Sequence, residues 1–170
     1  GLNPDNVDLH KRDGRMFLKF TDNKYDIIIV DAYSNEMYIP WTLTTREFWN
    51  LTKDRLKEGG VVSINVNSAS RGSDLLSAIK NTMASVFSEV HIYHTSPDAP
   101  NYILVAGEDI NLDKLKAQRI DEKLRNKATS LRLQARRVEY KPDEMMLTDD
   151  RAPVEFLTDK MFLDYVLENS

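Results

Sequence analysis

The run Tyr25-Asp26-Ile27-Ile28-Ile29-Val30 ends in Asp31-Ala32-Tyr33-Ser34, so an apolar, β-branched stretch gives way to an acid and then to loop residues. Uninterrupted β-branched residues are the mark of a strand covered on both faces of a parallel sheet. Ligands of open α/β sheets sit outside the carboxyl ends of such strands. A carboxylate at that place can accept or relay a proton, which makes Asp31 the leading catalytic candidate. Its other reading is a cap on the turn that follows.

The remaining reactive types narrow the chemistry. Cysteine is absent, so there is no thiolate nucleophile, no thiolate zinc site and no disulfide framework. His10, His91 and His94 have no HExxH or similar ligand spacing, and no metal is expected. Asp13-Gly14 is a second acid beside a residue without a side chain, and read alone it is an ordinary turn dipeptide. Tyr33, Tyr38 and Trp41 could wall an alkyl cation or pack their own loop. Asp149-Asp150 could add negative field at a site mouth or cap a helix.

Elements to hold these residues can be read from periodicity. Val7 to Arg12 alternates as a short strand ending at Asp13-Gly14, and a helix is expected over 15–20. Thr44 and Glu47 have capping-box spacing before a helix running to about Lys57, with Gly59-Gly60 as its C-terminal stop. Val61 to Val66 is another buried strand, and Ser73 to Ser88 has the spacing of a helix with one buried face. Val90 to His94 and Tyr102 to Ala106, joined by the turn-rich 95–101, form an antiparallel hairpin. Leu112 to about Val138 is polar and helical; its basic residues, Lys114 to Arg137, are interleaved with acids and read as a solvated face.

This order predicts an α/β sheet, mostly parallel, with an antiparallel hairpin at its C-terminal end. The chain of 170 residues is the size of one domain, and 41% apolar content is enough for a core. A balance of 23 basic against 27 acidic residues argues against a dedicated nucleic-acid binder. No apolar run reaches the roughly 20 residues that span a bilayer. No GxGxxG turn precedes Asp13, and Gly1 stands where an initiator Met would be. The chain is expected to be processed, truncated or tagged, and either the fold is a different one or its first βαβ unit lies upstream.

Asp13-Gly14-Arg15, Tyr25 to Ser34, Ile39-Pro40, Leu43-Thr44-Thr45-Arg46-Glu47-Phe48 and Leu56-Lys57-Glu58-Gly59-Gly60-Val61-Val62 together resemble the C-terminal part of spermidine synthase-like proteins. The ending Leu147-Thr148-Asp149-Asp150-Arg151-Ala152-Pro153-Val154-Glu155 resembles the branch fused behind transporter-like membrane segments. The resemblance implies a Rossmann-like, class I S-adenosylmethionine-dependent methyltransferase fold, with residues 1–170 as the C-terminal portion of the catalytic domain. It implies aminopropyl transfer from decarboxylated S-adenosylmethionine to a small amine. Asp31 would be the catalytic acid; Asp13, Gly14, Ala32 and Pro40 would meet the sulfonium nucleoside; Tyr33 and Ser34 would meet the amine.

Two departures bear on the amine. Ser34 stands where the best-known members have a second acid, and a tyrosine before their last strand aligns near Thr95. S-adenosylmethionine-dependent methyl transfer, or a non-catalytic module on the same fold, are the alternatives. The resemblance also implies a cytoplasmic setting, or the cytoplasmic face of a membrane if the parent chain carries an N-terminal membrane segment. It allows a homo-oligomer, and it implies that this portion by itself is inactive.

Overall fold

The computed structural model describes residues 6–34, 37–94, 101–112 and 121–168. In chain order the elements are α1 (Gly14–Phe20), β1 (Tyr25–Val30), a 3-10 turn (Trp41–Leu43), α2 (Arg46–Asp54), β2 (Leu56–Asn67), α3 (Asp74–Ala84), β3 (Glu89–His94), β4 (Asn101–Gly107), α4 (Glu122–Gln134), β5 (Arg136–Arg137) and α5 (Val154–Glu168). The strands form one sheet in the order β1-β2-β4-β3-β5.

The sheet is mixed. β1 pairs with β2 in parallel, while β4 runs against both β2 and β3, and β5 runs against β3. β1, β2 and β3 therefore point the same way, with β4 inserted in reverse between the last two. The expected hairpin of β3 and β4 is present, and the expected mostly parallel sheet is corrected to one parallel pairing among the described residues. The connecting residues 95–100, including Thr95, lie outside them, as do 113–120 of the expected polar helix.

One face of the sheet makes the core. Val62, Ile64 and Val66 of β2 lie in register with Ala106, Leu104 and Tyr102 of β4. Against them pack Phe48 and Trp49 of α2, Leu76, Ile79 and Met83 of α3, and Leu157 and Met161 of α5. Helix α3 presents Leu75, Leu76, Ile79 and Met83 at the spacing that puts apolar residues on one side. Polar residues inside this layer are paired: Thr52 Oγ1 donates to Phe48 O at 2.7 Å, and Trp49 Nε1 to Thr44 O at 3.0 Å.

Three further expectations about single elements are overturned. Ile27 and Ile29 are 60% and 72% exposed, so β1 is covered on one face, because no described element lies over the other. Residues 7–12 form no strand, since their alternation meets no partner among the described residues; Leu9 is 91% exposed. The glycine pair does not end α2. It lies inside β2, where the β1–β2 register shifts between Tyr25 and Ile27, and Gly59 takes φ +70° in the irregularity. No helix of the described residues is long and apolar enough to cross a membrane.

Candidate active site

β1 stops beside Ile64 while β2 runs on to Asn67, and the candidate residues gather where β1 stops. Val30 is buried and pairs with Ile64, so the next residue on each strand, Asp31 and Asn65, meet beyond the last rung. Asn65 Nδ2 donates to Asp31 Oδ1 at 3.4 Å. The Asp31 side chain is otherwise open to solvent, as a group that meets a substrate must be.

Tyr33 closes the gap that opens as β1 turns away. Its hydroxyl donates to Asn65 O at 2.9 Å and accepts from Asn67 N at 3.0 Å, standing in for the strand that no longer pairs with β2. Burial raises the Tyr33 phenol above its usual range, with the Asp31 carboxylate adding to the rise, so the hydroxyl keeps the proton it donates. Asn65 Oδ1 and Asn67 Oδ1 are shielded from solvent and have no hydrogen-bond partner among the described residues.

Ser34 exchanges backbone hydrogen bonds with Tyr38, N to O at 2.7 and 3.0 Å, which folds the loop back on itself. The Tyr38 hydroxyl then donates to Asp159 Oδ1 of α5 at 2.7 Å, and that carboxylate raises the phenol above its usual value. Pro40 caps the 3-10 turn, its carbonyl accepting from Leu43 N at 2.9 Å. Asp13 caps α1 through Oδ1, which accepts from Met16 N at 2.8 Å. A methyl group built on Gly14 meets nothing within 4 Å, so the space beside that backbone is open.

An apolar cleft of about 350 Å³ lies between α1 and β1. Gly14, Asp31 and Ala32 line it together with Leu18, Ile28 and Leu43. Asp13, Tyr33, Ser34 and Pro40 are not among its lining residues, although each adjoins one or lies on the loops around it. Among the described residues no group of three or more His, Asp or Glu is arranged to hold a metal ion.

Sequence reasoning missed Asn65, Asn67 and Arg15. The asparagines interrupt the apolar run of β2 at its carboxyl end, which was a readable signal. Arg15 gave none. Its guanidinium donates to both oxygens of Asp149, at 2.8 and 2.5 Å, and to Thr42 O at 3.0 Å. Asp149 thus neither lends open negative field nor caps α5. Thr45, not Thr44, caps α2, accepting from Phe48 N at 3.3 Å, and Glu47 reaches to Asp149 N at 3.0 Å instead of closing a capping box.

The family model for the spermine/spermidine synthase domain matches residues 1–109. The chain belongs to the spermine/spermidine synthase family. It is 30% identical over 174 aligned positions to a protein named "Probable polyamine aminopropyl transferase" from Bifidobacterium longum, covering 91% of this chain and 39% of that protein. It is 36% identical over 104 positions to the polyamine aminopropyltransferase of Vibrio vulnificus, covering 59% of this chain and 33% of the other. The chain therefore spans well under half the length of these relatives.

Solved structures agree on the fold. A probable spermidine synthase from Corynebacterium glutamicum superposes with a TM-score of 0.56 at 21% identity, over 84% of this chain and 54% of that one. Human methyltransferase-like protein 13, solved with SAH, superposes with a TM-score of 0.50 at 19% identity, over 74% and 57%. The scaffold of this spermine/spermidine synthase family member is thus shared with a methyltransferase.

Proposed function

We propose that this chain serves polyamine aminopropyl transfer, from decarboxylated S-adenosylmethionine to a small amine, with Asp31 as the base that positions the amine. One observation carries the reading: a solvent-open carboxylate stands just past the end of β1, where Asn65 Nδ2 orients it from 3.4 Å. An accessible carboxylate suits a ligand that carries N–H groups, and an ammonium is one.

The chemistry follows from that placement. Asp31 attracts the ammonium, orients it and takes one proton from it. The freed nitrogen pair attacks the aminopropyl carbon next to the sulfonium. The new C–N bond forms as the C–S bond breaks, and its electron pair returns to sulfur, leaving neutral methylthioadenosine. Orientation provides most of the rate, since the sulfonium is already an activated leaving group.

Asp13 and Gly14 are proposed to receive the adenine side of the donor, with Ala32 and Pro40 nearby and Tyr33 and Ser34 toward the amine. The serine at position 34, in place of an acid, favours an acceptor other than one gripped by two carboxylates. The Leu147–Glu155 ending supports a place in the transporter-fused branch. The test is an assay of the full-length polypeptide carrying these residues with both sulfonium donors and a panel of amines. Methylthioadenosine release supports the reading, and S-adenosylhomocysteine release alone replaces it with methyl transfer.

A further inference from the structure

Arg15 draws three distant segments onto one guanidinium. It follows Asp13 and Gly14 directly, reaches Thr42 O and Thr45 Oγ1 at the start of α2, and takes both oxygens of Asp149 in the Thr148–Arg151 turn. Thr45 Oγ1 donates to the same carboxylate at 2.7 Å. The turn is itself fixed from below. Asn81, 2% exposed on α3, donates through Nδ2 to Lys141 O, Glu144 O and Met145 O and accepts from Lys141 N. Thr82 Oγ1 accepts from Leu147 N at 2.8 Å.

Helix α1 needs such a tie. It has 7 residues, and Leu18 is its only buried one. A helix of that length has little stability of its own, so tertiary contacts must set its place. Arg55 Nε holds the far end through Leu18 O at 3.0 Å. The end that carries Asp13 and Gly14 is held by Arg15. A fork of two parallel charged hydrogen bonds fixes orientation as well as distance, which a lysine cannot do.

We propose that the Arg15–Asp149 pair is a positioning latch for the sulfonium donor. It sets the Asp13-Gly14 turn against Ala32 across the cleft, while the amine side, at Asp31, Asn65 and Tyr33, is braced independently by β2. The inference rests on the reading that Asp13 and Gly14 receive the nucleoside. Its specific consequence is asymmetric: breaking the latch weakens the donor and leaves the amine alone.

The experiment uses the full-length polypeptide carrying these residues, with Asp149→Asn and Arg15→Lys made separately. Methylthioadenosine affinity is measured by calorimetry, KM for donor and amine by steady-state kinetics, and Tm alongside. Both substitutions are expected to raise the methylthioadenosine Kd and the donor KM about tenfold, with the amine KM within about twofold. Lys57→Met, which breaks the exposed Lys57–Asp26 pair at the other end of β1, is expected to leave both constants unchanged. If either variant folds and keeps donor affinity within about twofold, or if donor and amine constants move together, the latch is overturned and the pair is structural. If the unsubstituted protein binds no sulfonium nucleoside, the reading of the site falls first.

Discussion

Asn65 Nδ2 of β2 lies 3.4 Å from Asp31 Oδ1, just past the carboxyl end of β1. The bond is long, and it orients the acid more than it neutralises it. Strand β2 thereby aims the side chain that follows β1. Asn65→Leu should lower kcat about threefold to tenfold, the worth of one hydrogen bond, with donor KM unchanged. Steady-state kinetics at saturating donor checks this, and an equal rise in donor KM would contradict it.

The Tyr33 hydroxyl occupies a donor and an acceptor of the β2 backbone at once. Tyr33→Phe leaves Asn65 O and Asn67 N without that partner in a half-buried place. A loss of about 1 to 3 kcal/mol is expected from denaturant titration, because the uncompensated groups cost more than the bond contributed. A stability change below a few tenths would show that water replaces the phenol freely.

Gly60 has no room for a side chain. A methyl group there would stand 2.9 Å from Lys57 O, 3.0 Å from Tyr25 O and 3.2 Å from Asp26 O, all backbone atoms that cannot swing aside. Gly60→Ala should cost about 1 to 3 kcal/mol and lower Tm by several degrees. Gly72→Ala, with nothing within 4 Å, is the comparison expected to be near neutral.

Acid should loosen the latch. The Arg15 guanidinium, bonded to both oxygens, holds the Asp149 carboxyl below its usual range, with Thr45 adding to the effect and burial opposing it. A depressed carboxyl contributes stability above its unfolded value, near 4, and loses it as pH falls through the folded value. The side chain is 40% exposed, so solvent screening limits the contribution to at most about 1 kcal/mol. Unfolding followed from pH 6 to 2 should show an acid-sensitive component that Asp149→Asn removes. An unchanged acid profile in that variant would contradict it.

Much of the frame was legible because its signals are local. The apolar spacing of Leu75, Leu76, Ile79 and Met83 gave α3, and the turn-rich 95–101 between two β-branched runs gave the hairpin. Other features depend on partners that no window of sequence contains. Alternation over residues 7–12 could not reveal that no described neighbour pairs with them, and a run of isoleucines reads the same whether one face is covered or two. Gly59-Gly60 was read as a helix stop and lies inside β2, because glycine marks a bulge and a helix end alike. Asp31 was legible as the end of a strand. Arg15 and Asp149, separated by 134 positions, each stood in a recognised motif, but their meeting is a property of the folded chain alone.

The central claim is that Asp31 positions and deprotonates an amine that attacks a sulfonium donor. The most direct measurement is methylthioadenosine formation from decarboxylated S-adenosylmethionine and a diamine, by the full-length polypeptide carrying these residues and by its Asp31→Asn variant. The expected result is steady methylthioadenosine release by the first and a fall of at least about a hundredfold in the second, the scale of losing a general base, with donor binding retained. Equal turnover by the two proteins would contradict the assignment.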